Sequence, residues 1–121
     1  MRRLVLLALC LLAAPAAAQD GAALFEPCRA CHALEANAEE GAGPNLSGVI
    51  GRKVAGDPRF DYSPALRAGR EAGLVWDRAR LERFLADPEA MFPGLWMGGR
   101  GLAEAAERAA LVEFIGRSGA P

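Results

Sequence analysis

A chain of 121 residues with 14 basic and 15 acidic side chains is one domain at most, and it lacks the basic excess of a nucleic-acid surface. It carries no long charge block of the kind that forms an interaction tail. Fourteen glycines and eight prolines point to short helices joined by many loops.

Residues 1–18 read as a secretory signal peptide. Arg2 and Arg3 form the charged start, Leu4 to Leu12 the apolar run, and Ala16, Ala17 and Ala18 a small-residue cleavage site before Gln19. The run is shorter than the roughly 20 residues a membrane-spanning helix needs. Cys10 lies inside it and leaves with it. A lipoprotein reading of Cys10 is poor, because the cysteine comes very early and a bulky leucine precedes it. Cleavage delivers residues 19–121 to an exported, disulfide-permissive compartment, the periplasm. It also removes two arginines, so acidic residues outnumber basic ones in the mature chain.

Asp20 to Cys31 reads as the first helix, with Asp20 as N-cap. Leu24, Cys28 and Cys31 share one face, and Phe25 is expected in the core. Pro27 predicts a bend or irregularity just before Cys28.

The segment Cys28-Arg29-Ala30-Cys31-His32 has the Cys-x-x-Cys-His spacing of c-type haem attachment. Residues three apart are neighbours on a helix face, so both thiols can reach the vinyl groups of one porphyrin. The following imidazole then faces the iron. Three alternatives compete. A zinc site lacks enough further ligands, since His32 is the chain's one histidine. A thioredoxin-like pair lacks a βαβ setting, and a structural disulfide leaves His32 idle. Haem c is the reading carried forward.

Residues 33–62 are punctuated by Gly41, Gly43, Pro44, Gly48, Gly51 and Gly56 and read as loop. So long a loop in a small domain needs something to wrap, and a flat apolar macrocycle supplies it. Ser63 and Pro64 start a short helix that runs to about Arg70. Asp77 caps a third, Arg78 to Ala86, with Leu81, Phe84 and Leu85 on one face, and Asp87-Pro88 ends it. The last helix spans about Ala103 to Arg117, with Leu111, Phe114 and Ile115 at core spacing.

Taken together, the Cys28–His32 cluster, Gly43-Pro44-Asn45-Leu46, Gly51-Arg52-Lys53, Phe60-Asp61-Tyr62 and Pro93-Gly94-Leu95-Trp96-Met97 resemble the class I cytochromes c of the mitochondrial and bacterial cytochrome c2 type. The resemblance runs from Gly21 to Ile115. It implies a small all-α cytochrome c fold, three to five helices with long loops around one haem attached through Cys28 and Cys31. It also implies that the Pro44 carbonyl orients His32, that Arg52, Tyr62 and Trp76 bond a buried haem propionate, and that Met97 is the sixth iron ligand opposite His32. Read without the family, Arg52 is a solvated surface arginine and Tyr62 and Trp76 are core aromatics. Met91, the other methionine of the mature chain, is read as a core gap-filler. The last helix is expected to cross the first, with Gly21 and Phe25 against Leu111 and Phe114.

Four departures from the family pattern stand out. Phe84 replaces a tyrosine, Gly99 replaces an aromatic, and the stretch before Trp76 is about three residues longer. Lys53 is the only lysine, so a lysine docking ring is absent and Arg29, Arg67 and Arg100 are the candidates to replace it.

Iron held by both His32 and Met97 leaves no position for a substrate, so the resemblance implies an electron carrier and no enzyme. The expected molecule is a soluble, monomeric periplasmic cytochrome. Its partners are membrane-bound or periplasmic redox proteins: a bc1-type complex, a terminal oxidase, a reaction centre or a dehydrogenase. Two alternatives are a dedicated cytochrome subunit of a periplasmic dehydrogenase, and a ligand-binding haem sensor or peroxidase. Because a mature chain of this size builds only a marginal core by itself, the haem-free protein is expected to give much weaker helical circular dichroism than the loaded one. Equal signals would overturn that expectation.

Overall fold

A computed structural model describes residues 19–119; the signal peptide assigned to 1–18, Cys10 included, lies outside the described residues. Five α-helices are present among them: α1 (Gly21–Phe25), α2 (Pro64–Glu71), α3 (Arg78–Ala86), α4 (Pro88–Met91) and α5 (Ala105–Gly116). The fold is all-α, as expected.

The first helix is shorter than its sequence pattern predicts. Asp20 caps it, its Oδ1 accepting the N–H groups of Ala22 at 3.1 Å and Ala23 at 3.3 Å. After Phe25 the chain tightens into a 3₁₀ turn, Glu26–Ala30. Pro27 brings no N–H and needs the position of a helix start, so the α-helical ladder cannot run through it. The turn ends where the Cys28 carbonyl accepts both the Cys31 N–H (3.1 Å) and the His32 N–H (2.9 Å).

Ser63 and Asp77 cap α2 and α3 as expected, accepting from Leu66 N–H and Arg80 N–H. Asp87, by contrast, ends one helix and starts another. Its extended ψ of 89° breaks α3, and its carboxylate accepts the Ala90 N–H at 3.0 Å with Pro88 in the first turn. A helix stop and an Asp-Pro helix start are the same two residues here. The last helix begins two residues later than expected. Leu102 is held by a backbone bond to Leu85 O at 2.7 Å, and Arg108 takes the Leu102 carbonyl at 2.7 Å, so the chain before Glu104 is committed elsewhere. Residues 51–54 also pair with 74–76 through Gly51 N to Trp76 O (2.7 Å), Trp76 N to Arg52 O (2.8 Å) and Val54 N to Leu74 O (2.9 Å). The loop composition gave no sign of this ribbon.

Helix α5 packs against both α1 and α3. Phe25 is fully buried, with Leu111, Val112 and Ile115 around it, and its ring lies 5.7 Å from that of Phe114. Val112, which the sequence pattern missed, is deeper than Phe114. Gly21 is the crossing point of α1 and α5. A Cβ there would sit 2.5 Å from the Ala110 carbonyl oxygen and 2.6 Å from Phe114 Cβ. Gly21→Ala is therefore expected to lower the unfolding free energy by about 2 kcal/mol, as overpacking does, although alanine gains about 1 kcal/mol of helix propensity. Urea unfolding measures it, and an unchanged midpoint would show that the helices part freely.

Candidate functional site

The site is assembled on the segment that follows the 3₁₀ turn. Residues 41–46 fold back on it through Gly43 N to Cys31 O and Leu46 N to Ala33 O, both 2.9 Å. Gly43 makes this approach possible, because a Cβ there would stand 2.5 Å from Cε1 of His32. The ring is thereby laid against the backbone, and its Nδ1 lies 2.7 Å from the Pro44 carbonyl oxygen. That bond makes Nδ1 the protonated nitrogen and leaves Nε2 free to bind a metal.

A cavity of about 350 Å³ opens beside this ring. Every residue singled out for cofactor or metal binding lines it: Cys28, Cys31, His32, Pro44, Arg52, Tyr62, Trp76 and Met97. Met91 does not; it packs on the core, as a gap-filler should. Trp76 is buried among Phe84, 5.1 Å away, and Phe92, 6.1 Å away, by ring centroids. Phe84, the residue in place of a tyrosine, also forms part of the cavity wall.

Arg52 and Tyr62 already have protein partners. Arg52 Nη2 donates to the Asn45 carbonyl at 2.8 Å, and the Tyr62 hydroxyl accepts the Asp57 N–H at 3.3 Å. Burial raises the pKa of the Tyr62 hydroxyl, so it stays a neutral donor. Burial, helped by the neighbouring Cys31, likewise raises the pKa of the Cys28 thiol. No disulfide joins Cys28, which is half-buried, to Cys31, which is exposed.

Sequence reasoning missed three polar residues behind this wall. Asn45, 2 % exposed, donates from Nδ2 to Glu35 O and accepts the Ser47 N–H on Oδ1, both at 2.8 Å. Glu40 accepts the Asn45 N–H at 2.9 Å. Asp57, 5 % exposed, is held by Arg59 through Nε (3.1 Å) and Nη2 (3.0 Å). The signal available was Asp57-Pro58-Arg59 within a loop, a turn sequence whose carboxylate only the fold buries, while Arg59 stays half-exposed.

No protein-family model matches the chain. Individual relatives do. Cytochrome c2 of Agrobacterium tumefaciens is 38% identical over 95 residues, covering 78% of this chain and 86% of the relative. The chain belongs to the cytochrome c2 family. Cytochrome c2 iso-1 of Magnetospirillum fulvum is 40% identical over 98 residues, 79% of this chain and 95% of that one. The cytochrome c2 structure from Rhodospirillum centenum superposes with a TM-score of 0.75 at 31% identity, covering 81% of this chain and 94% of that chain.

As a cytochrome c2-type protein this chain is a monohaem electron carrier and not an enzyme, with one covalent haem c and redox proteins as partners. The cavity fits that group. It offers two cysteine sulfurs not tied up in a disulfide, a ring nitrogen with its tautomer fixed and a thioether, within walls made mostly of aliphatic and aromatic side chains. A bare-metal site does not fit, because no group of three His, Cys, Asp or Glu is placed to hold an ion among the described residues.

Asp57 gives the site an acid limit. The hydrogen bonds from Arg59 hold its carboxyl down at about 2, against an ordinary 3.8, while burial opposes them. A lowered folded-state pKa contributes stability above about pH 4 that is lost as pH falls towards 2. Unfolding free energy is expected to fall by on the order of 1 kcal/mol from this group across that window, a figure discounted for the exposure of Arg59. Asp57→Asn should be less stable at neutral pH and flatter below pH 4 in denaturant titrations; parallel curves for the two proteins would refute the assignment.

Proposed function

We propose that Cys28 and Cys31 would bond the haem covalently, that His32 and Met97 would ligate its iron, and that Arg52, Tyr62 and Trp76 would bond its propionate. The observation that carries this reading is the 2.7 Å contact of His32 Nδ1 with Pro44 O in a cavity that Met97 also lines. Bound haem supplies an iron that exchanges one electron between ferric and ferrous states. The chain's own residues determine how favourable that exchange is. His32, kept in one tautomer by Pro44, offers a fixed nitrogen donor. Met97 offers a soft, uncharged sulfur that favours the reduced metal. Arg52 brings a positive charge to the wall, and Tyr62 and Trp76 bring an O–H and an indole N–H suited to a carboxylate. The aromatic and aliphatic lining keeps water away from these charges, which strengthens them.

The export signal read in residues 1–18 supports a periplasmic shuttle between membrane-bound complexes such as a bc1-type complex and a terminal oxidase or reaction centre. One observation favours a second reading, a dedicated partner such as a dehydrogenase. Trp96, next to Met97, is 61% exposed, and aromatic side chains of this kind anchor protein interfaces. Stable co-purification with one redox enzyme would select it over the free shuttle.

The oxidised, haem-loaded protein is expected to show the weak far-red sulfur-to-iron band, and Met97→Ala to abolish it while Met91→Ala leaves it unchanged. A wild-type spectrum without the band, with high-spin iron that takes up carbon monoxide or peroxide, would replace the carrier with a sensor or peroxidase.

A further inference from the structure

The Pro44–Asn45 peptide is engaged at both ends. Its carbonyl oxygen lies 2.7 Å from His32 Nδ1, and its N–H donates at 2.9 Å to the Glu40 carboxylate. One amide thus joins a buried-side carboxylate to the imidazole. We propose that Glu40 is a positioning residue that sets the electron-donating strength of His32, and hence the reduction potential, through this single peptide group.

The chemistry is that of a polarised amide. A carboxylate accepting an N–H makes a charge-assisted bond, roughly twice as strong as a neutral one. It draws the proton towards itself and pushes electron density onto the carbonyl oxygen of the same amide. Chained hydrogen bonds reinforce each other by roughly 10–30 % per bond. A more negative Pro44 oxygen pulls harder on the Nδ1 proton, and the ring becomes a stronger donor at Nε2. A stronger donor stabilises the ferric state, so Glu40 lowers the potential. No proton changes owner.

Two features of the structure concentrate this effect. The amide cannot swing away, because Asn45 is held by Glu35 O, Ser47 N–H and Arg52 as well as by Glu40. The Glu40 side chain is only 17% exposed, and its Oε1 is the buried side-chain oxygen without an aligned hydrogen bond among the described residues. Arg59 Nη2 stands 2.9 Å from that oxygen but is shared with Asp57. The aligned hydrogen bond of this carboxylate is therefore the one to Asn45.

The inference rests on His32 as the iron ligand, and its test separates the two. Glu40→Gln keeps an oxygen acceptor for Asn45 but removes the charge. In redox titration of the haem-loaded variant against a reference carrier, the equilibrium constant is expected to move at least threefold towards reduced cytochrome. The His32 Nδ1–H proton resonance of the reduced protein should shift upfield with it. Asp57→Asn removes a charge from the same cluster without touching the peptide, and its shift should be less than half as large on a logarithmic scale. Equal shifts in the two variants would mean plain electrostatics and overturn the relay, as would an unmoved potential in a Glu40→Gln protein of normal thermal stability. If wild type itself shows a His32 ring nitrogen at free-imidazole frequencies, the ligand assignment falls and the relay falls with it.

Discussion

The hydrogen bond between His32 and the Pro44 carbonyl is the constraint on which the rest of the site depends. Making it requires a loop to lie flat on the Cys-x-x-Cys-His segment, and that demands glycine at 43, where any side chain would strike the imidazole. It requires the loop to stay there, which the backbone bonds from Gly43 to Cys31 and Leu46 to Ala33 ensure. It requires Asn45 to be pinned, and the partners of Asn45 draw Glu35, Glu40, Ser47 and Arg52 into one network. A contact between two groups is thereby tied to the otherwise irregular chain from Cys31 to Arg52.

The helices serve that arrangement from behind. The close crossing of α1 and α5 at Gly21 anchors the helix from which the 3₁₀ turn carrying Cys28 follows, and Pro27 sets where that turn begins. Ser118, just beyond α5, accepts the Gly48 N–H on its carbonyl at 3.0 Å, while its hydroxyl lies 2.6 Å from Ile115 O and 3.3 Å from Leu46 O. The far end of the chain thus braces the loop next to His32. The 51–54 and 74–76 ribbon fixes Arg52 relative to Trp76 on the same wall.

Much of this was legible in the sequence because its signals are local. Asp20, Ser63 and Asp77 cap helices through their own side chains, and a Cys-x-x-Cys-His run announces its chemistry in five residues. The eight residues assigned to the cofactor come to one cavity because the family pattern carried their long-range placement. What stayed hidden was non-local or ambiguous. Asp87-Pro88 is both a stop and a start, and only the tertiary path chooses. The backbone pairing of Gly51 with Trp76 leaves no periodic trace in a glycine-rich loop. Glu40 and Asp57 look like solvated acids until the fold buries them beside Arg59.

Trp76, Leu81, Phe84 and Ile115 belong at once to the hydrophobic core and to the cavity wall. In a larger protein those duties fall to different layers, and each can drift separately. Here every such position is pleiotropic: a substitution that repacks the interior also reshapes the cavity wall. A side chain such as Trp96, which lines the cavity but stands outside the core, is free of that double constraint.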